Sequence, residues 1–398
     1  MIIKNKTNII LISFIIIFTL KSINLMQFLN TRTWVDTLSL TLLITIAFYW
    51  VIKDIINSGK HPLIILILLL FLIISISSTI IFSNSFTGIS SKIRELFEIS
   101  LWIFSFIISY ISSKKYGYTI IPYYILSLML FFIAISFINV YQIQLIMRNT
   151  TINSVYYLIV LLPCVFVLRQ NYLKFIGVMI ILSSVIVSLK RTGLLAVLFA
   201  LFFYFISLFI IQSDRKKSIL NNIGIFLSIL IFIISVSMVY DYLTDSYNID
   251  WKTRIESAEK DGGNGREFIW MTTIKMQFES GPFEWIIGHG YNSVFLNSPV
   301  EKSAHNDFLE VLYDYGIIGF TLYLSFIFML IIYAVRLKNI KSEITAPFIS
   351  SIILFLVMSF SSHLLIYPTY FIFLTIFWGI TIGQYESNKH NYIFLNGV

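Results

Sequence analysis

Several unbroken apolar stretches, each about 20 residues long, constrain this chain more than any other feature. The runs 62–82, 117–138 and 192–211 contain no charged side chain. A helix of roughly 20 residues crosses about 30 Å of hydrocarbon. Where water is absent, the backbone must bond to itself, so only helices and closed barrels can span. Barrel strands alternate apolar and polar residues over about ten positions, and these runs do not alternate. The expected fold is therefore an all-α polytopic membrane protein. The composition agrees, with 58% hydrophobic residues, 12% charged residues and a mean hydropathy of +0.86.

About twelve spans are expected, near 8–28, 35–52, 62–82, 95–113, 117–138, 153–168, 172–189, 192–212, 219–241, 314–335, 345–363 and 366–384. The first apolar run follows Lys4 and Lys6 and is succeeded by Lys21, Asn24 and Met26 rather than by small residues. It reads as a retained span and not as a cleaved signal. The formal charge is +8, and its placement matters more than its size. Short connectors hold Lys53 and Lys60, Lys114 and Lys115, Arg169 and Lys174, Arg215 to Lys217, and Arg336 to Lys341. An excess of Lys and Arg marks the cytoplasmic side, which puts both termini there. Lys190 and Arg191 break the rule by falling on the opposite side. An anionic partner would explain them, as would two basic side chains snorkelling to the headgroups. The lone Cys164 lies in an apolar run, so neither a disulfide nor a cysteine metal site is expected.

This topology divides the chain into a bundle of about nine spans at 1–241, a non-cytoplasmic loop at 242–313, further spans at 314–384 and a cytoplasmic tail at 385–398. A connector as long as 242–313 is functional or disordered, and Trp251, Trp270 and Trp285 argue against disorder. A glycine-rich turn, Asp261-Gly-Gly-Asn-Gly265, leads into an amphipathic stretch from Arg266 to Phe278 that is closed by Ser280-Gly-Pro282. That pattern predicts a short helix with Arg266 in its first turn, a place suited to a phosphate. Pairing of Arg266 with Glu267 or Asp261 in solvent is the plainer alternative. A second helix should begin near Asn306 or Asp307, and with Asp307 as cap Glu310 would complete a capping box. His305 then sits at a helix start, where the dipole favours a neutral imidazole. A structural hydrogen bond would account for His305 equally well. His289 lies between Gly288 and Gly290 and reads as a turn residue, with a base as the alternative; His363 could support a site from behind, and His61 and His390 lie on the cytoplasmic side.

Arg266 and Trp270, Gly288-x-Gly290, His305-Asn306-Asp307-Phe-Leu-Glu310 and Gly316-Ile-Ile-Gly319, together with Ser188-Leu-Lys-Arg191-Thr-Gly-Leu-Leu195, resemble the bacterial O-antigen polymerase and O-antigen ligase superfamily. The resemblance is strong over 186–320 and rests on hydropathy alone for the first six spans. It implies a glycosyltransferase similar in architecture to the class C type, free of metal and cofactor, in the inner membrane with its site on the periplasmic face. The implied donor is a glycan on undecaprenyl diphosphate. Polymerases pass the growing glycan to the next lipid-linked repeat unit, and ligases pass it to lipid A-core. The compact stretch from His305 to Gly319 looks more like polymerase members. Membrane lipid is an expected partner, a chain-length regulator protein could be another, and no nucleic-acid partner is expected.

The chemistry matches residues independently of the resemblance. When a hydroxyl attacks an anomeric carbon, charge builds on the leaving diphosphate. Arginine holds phosphate bidentately and stays charged. Arg191 and Arg266 are the candidate clamp, with Lys190 as a third cation. A neutral histidine can accept the hydroxyl proton, and His305 is the candidate base. Gly288, Gly290, Asn306, Glu310 and Trp270 are candidate substrate-binding residues, and Glu310 or Asp307 could orient His305. The outer loop has no Asp-x-Asp, which agrees with a metal-free reaction. A flippase of lipid-linked oligosaccharide is the reading from another class. It would want polar residues at mid-membrane depth and duplicated halves, which this chain lacks.

Overall fold

The computed structural model describes residues 62–82, 89–116, 121–146, 152–188, 190–211, 265–365 and 368–395, with isolated positions before 62. The expected spans at 8–28 and 35–52 lie mostly outside the described residues, and that at 219–241 and the turn at 261–264 lie wholly outside them. Every regular element among the described residues is a helix.

In chain order, α1 (Leu63–Phe82), α2 (Ile89–Tyr116) and α3 (Ile121–Ile146) are followed by a 3₁₀ turn (Asn153–Val155), α4 (Tyr156–Ile159) and α5 (Leu162–Val167). Next come α6 (Asn171–Val187) and α7 (Arg191–Ile211), then α8 (Arg266–Glu279), α9 (Pro282–Ile287) and α10 (Ser293–Asn297). The chain closes with α11 (Asp307–Asn339), α12 (Thr345–Ser361) and α13 (Pro368–Leu395). Among the described residues α1, α3 through Gln142, α7 and α11 are long and apolar enough to cross a membrane. The chain is a multi-pass membrane protein, all-helical among the described residues. On α7, Leu195, Phe199, Phe202, Ile206 and Phe209 form an exposed stripe at three- and four-residue spacing, the face a helix turns to lipid.

Two expected elements differ. The span expected at 153–168 is three short helical pieces. Leu161 N–H bonds to Leu158 O at 3.2 Å, one residue tighter than an α-helix, and Pro163 follows with no N–H to give. The span expected to start at 314 is instead continuous with the loop helix that precedes it. Helix α11 runs from Asp307 through the span, with one break at Gly316 (φ 64°, ψ −170°).

Between helices in hydrocarbon, close packing replaces the hydrophobic drive. Helix α13 lies along α2 through Gly379 and Gly383, where a Cβ would stand 2.4 Å from Phe106 O and 2.4 Å from Tyr110 O respectively. Trp102 of α2 and Phe371 of α13 meet at 5.3 Å, and Phe355 of α12 meets Trp378 of α13 at 5.2 Å. Buried hydroxyls bond to their own helices, as Ser75 does to Phe71 O and Thr381 to Phe377 O. Ser350 instead crosses from α12 to Ala200 O of α7 at 2.9 Å.

Candidate active site

The site is assembled where α7 and α8 begin. Helix α6 ends at Val187, the chain turns, and Arg191 opens α7. Thr192 and Gly193 in that first turn are buried, and a Cβ on Gly193 would stand 2.9 Å from Ile159 Cδ1 of α4. Lys190 and Arg191 thus bring two cations to the positive end of a helix dipole, an arrangement that favours an anion between them.

Helix α8 starts as the glycine signals predict. Gly265 takes the left-handed conformation (φ 72°, ψ 15°), Arg266 is the first helical residue, and Pro282 opens α9 after Gly281. Arg266 Nη2 donates to Thr192 Oγ1 at 3.4 Å, and Thr192 Oγ1 donates to Ser361 O at 3.3 Å. These two bonds fasten the loop helix to the start of α7 and the end of α12. Among the described residues Arg266 makes no ion pair, with Glu267 or any other. Burial first, and then the Arg191 charge, press its guanidinium below the usual arginine range.

His305 stands on a strained residue (φ 52°), a conformation that costs of order 1 kcal/mol and persists only when its surroundings hold it. Trp270 Nε1 donates to Ala304 O at 2.8 Å, and Ala304 N–H donates to Glu310 Oε1. Asn306 caps α11, its Oδ1 accepting from Phe308 N at 3.0 Å and Leu309 N at 3.3 Å. The cap is therefore Asn306 and not Asp307. Glu310 reaches past it to Ala304, so no capping box forms. Asp307 at the first helical position turns the other way and accepts from Leu364 N at 3.0 Å and Leu365 N at 3.3 Å. The strained residue is thus locked from both sides. Burial first, then Arg266, Lys190 and Lys302, lower the His305 pKa to about 4. Its imidazole is neutral near pH 7.

Gly288 and Gly290 belong to the frame under the site. The break at Gly316 frees the carbonyls of Tyr313 and Asp314, which His289 N (3.1 Å) and Gly290 N (2.8 Å) then satisfy. A Cβ on Gly288 would lie 2.3 Å from Asp314 O, and one on Gly316 2.4 Å from Ile286 O. Both positions require glycine. The buried Asp314 carboxylate gathers the next turn, accepting from Asn292 N, Ser293 N and Val294 N at 2.8 to 3.2 Å. His289 stacks on Tyr313 at 4.1 Å, and its ring nitrogens lie 3.1 Å from Tyr313 O and 3.2 Å from Ser280 Oγ. It is a turn residue, as its setting between glycines predicts.

Arg266 and Lys190 thus lie near enough to His305 for their charge to act on it, and Arg191 to act on Arg266, while Asn306, Glu310 and Trp270 shape the loop that carries His305. Residues 176–324 match the family described as O-antigen ligase. Over this stretch the chain is similar to the O-antigen polymerase and ligase superfamily. The matched stretch runs from α6 past the kink of α11 and includes each member of the cationic cluster and His305. No curated protein matches the chain.

The structure adds neighbours that the motif does not mark. The His363 ring stacks on His305 at 4.3 Å with 21° between the planes. Tyr156 of α4 lies beside Thr192, Ser362 and Arg266. Lys302 contributes a further positive charge. His363 and Tyr156 come from segments far from His305 in the chain, and no spacing in the sequence joins them to it.

Proposed function

We propose that this protein is an O-antigen polymerase, joining glycan repeat units carried on undecaprenyl diphosphate at the periplasmic face of the inner membrane. Arg191 and Arg266, with Lys190 beside them, hold the donor diphosphate. His305 accepts the proton of the acceptor hydroxyl as its oxygen bonds to the anomeric carbon. The old bond to oxygen breaks, and its electron pair leaves on the lipid diphosphate, where the guanidinium groups receive the charge. Direct attack of this kind inverts the anomeric centre. The observation that carries the reading is the placement of Arg266, Lys190 and Lys302 around a histidine kept neutral by burial first and then by their charge, with Arg191 beside Arg266. A diphosphate bound among them would offset that field and raise the basicity of His305 when the donor arrives. Both termini would be cytoplasmic, and a chain-length regulator would act beside the enzyme.

The family description favours a second reading, that of a ligase moving the finished glycan to lipid A-core. Deleting the gene and resolving the surface lipopolysaccharide on a gel separates the two. A polymerase defect gives core bearing one repeat unit. A ligase defect gives bare core and accumulated lipid-linked polymer. Normal laddering from a His305→Ala protein as the sole copy would overturn the role of His305.

A further inference from the structure

The second histidine at the site comes from a different part of the chain, and its surroundings are built as firmly as those of His305. The turn 362–365 that carries His363 is fixed on three sides. Tyr370 OH donates to His363 O at 2.9 Å, the Asp307 carboxylate accepts from Leu364 N and Leu365 N, and Thr192 Oγ1 holds Ser361 O. Ser303 Oγ lies 3.5 Å from His363 Nδ1. His363 is 7% exposed and presents its ring face to His305 at 4.3 Å. Asp307 thus ties the His363 turn to the helix that His305 precedes, so the two rings are held as a pair.

We propose that His363 is a positioning residue for the reaction, whose neutral ring fixes the plane of His305 and stabilises the imidazolium that forms when His305 takes up the acceptor proton. The inference rests on the reading of His305 as the base. A cation above a neutral aromatic face is attracted by its quadrupole, more strongly where water is excluded. The pair works only if the proton goes to His305 and not to His363. The charged groups around His363 bear on that choice. His305, Arg266 at the start of α8 and Lys190 before α7 oppose a charge on it, Lys302 acts on its partner ring, and the carboxylate of Asp307 is spent on the backbone of Leu364 and Leu365. Burial, the largest effect, holds His363 at about 3, below His305 at about 4. Burial weighs more heavily on His363, which is 7% exposed, than on the partly exposed His305, and this directs the proton to His305.

The test uses the full-length protein in detergent with a lipid-linked oligosaccharide as substrate, and reads initial rates across pH. His363→Phe keeps a flat neutral face and should retain at least about half of wild-type kcat. His363→Ala removes the face; kcat should fall roughly tenfold with KM little changed, and the acid limb of the kcat profile should move to lower pH. That shift follows because the His305 imidazolium loses the aromatic face that stabilises it, while a merely structural defect lowers the rate without moving the limb. A normal kcat and an unmoved limb in His363→Ala overturn the proposal. So does equal loss in His363→Phe and His363→Ala, which would assign the role to the ring nitrogens. If His363→Ala does not fold, His363→Phe decides alone, because loss of its activity overturns the proposal. Full activity in His305→Ala would remove the base itself, which is a failure of the functional reading and is distinct from these outcomes.

Discussion

At the scale of single residues, His305 turns local strain and local charge into a dependence on pH. Only its unprotonated ring can accept a proton, so activity should fall as pH drops through its pKa. In the free protein burial and the cations Arg266, Lys190 and Lys302 hold that value at about 4, and the acid limb of kcat/KM should lie near there. With a diphosphate bound the cations are offset, so the acid limb of kcat should lie at higher pH than that of kcat/KM. Coincident limbs in the two profiles would show that the anion does not reach His305. Arg266 tests the clamp separately. Arg266→Lys keeps the charge and loses the fork, and should lower kcat/KM by roughly tenfold or more. Equal rates in the variant and the wild type would exclude a bidentate hold at this position.

At the scale of elements, the loop and the helices are joined through glycine. Gly265 and Gly288 both have positive φ, at 72° and 80°, but their surroundings differ. Nothing lies near a Cβ at Gly265, whereas one at Gly288 meets the backbone of α11. Gly265→Ala should therefore cost about 1 kcal/mol for the conformation alone. Gly288→Ala should cost several times as much or prevent folding, which thermal unfolding in detergent would show as clearly separated midpoints. Asp314→Ala should be comparably severe, because it leaves the N–H groups of Asn292, Ser293 and Val294 without their acceptor. The same elements show where sequence reasoning succeeds. Helix α8 was legible because a glycine turn, an amphipathic run and Gly281-Pro282 are local signals. The break before α5 and the kink at Gly316 were not, because each sits inside an apolar run that reads as uninterrupted span. The conformation at Gly316 answers to Ile286 and Gly288, which approach only once the chain has folded. The same holds for His363. Its motif-free segment reaches His305 through a tertiary contact, so the sequence could place His363 near the outer end of a span but not against the His305 ring.

At the scale of the whole molecule, the reading depends on which residues face which side of the membrane. Cys164 is the only cysteine in the chain and is fully buried, so an introduced thiol can be followed against a quiet background. A cysteine replacing the exposed Glu301 should react with a membrane-impermeant maleimide in intact spheroplasts, and one replacing Lys338 should react only after permeabilisation. The reverse pattern would put the site in the cytoplasm and end the assignment to a periplasmic reaction. One feature of the fold bears on how such a protein senses its surroundings. Helix α11 carries the His305 loop at one end and continues through the apolar span, its only break clamped by Gly290 and by Ser78 Oγ, which donates to Asp314 O at 2.9 Å. Arg191 begins a different span. When bilayer thickness changes, spans adjust by tilting, and a tilt of α11 relative to α7 changes the gap between the base and the clamp. Acyl-chain length in reconstituted vesicles should therefore tune turnover, with a rate maximum at the thickness that brings the two spans into register.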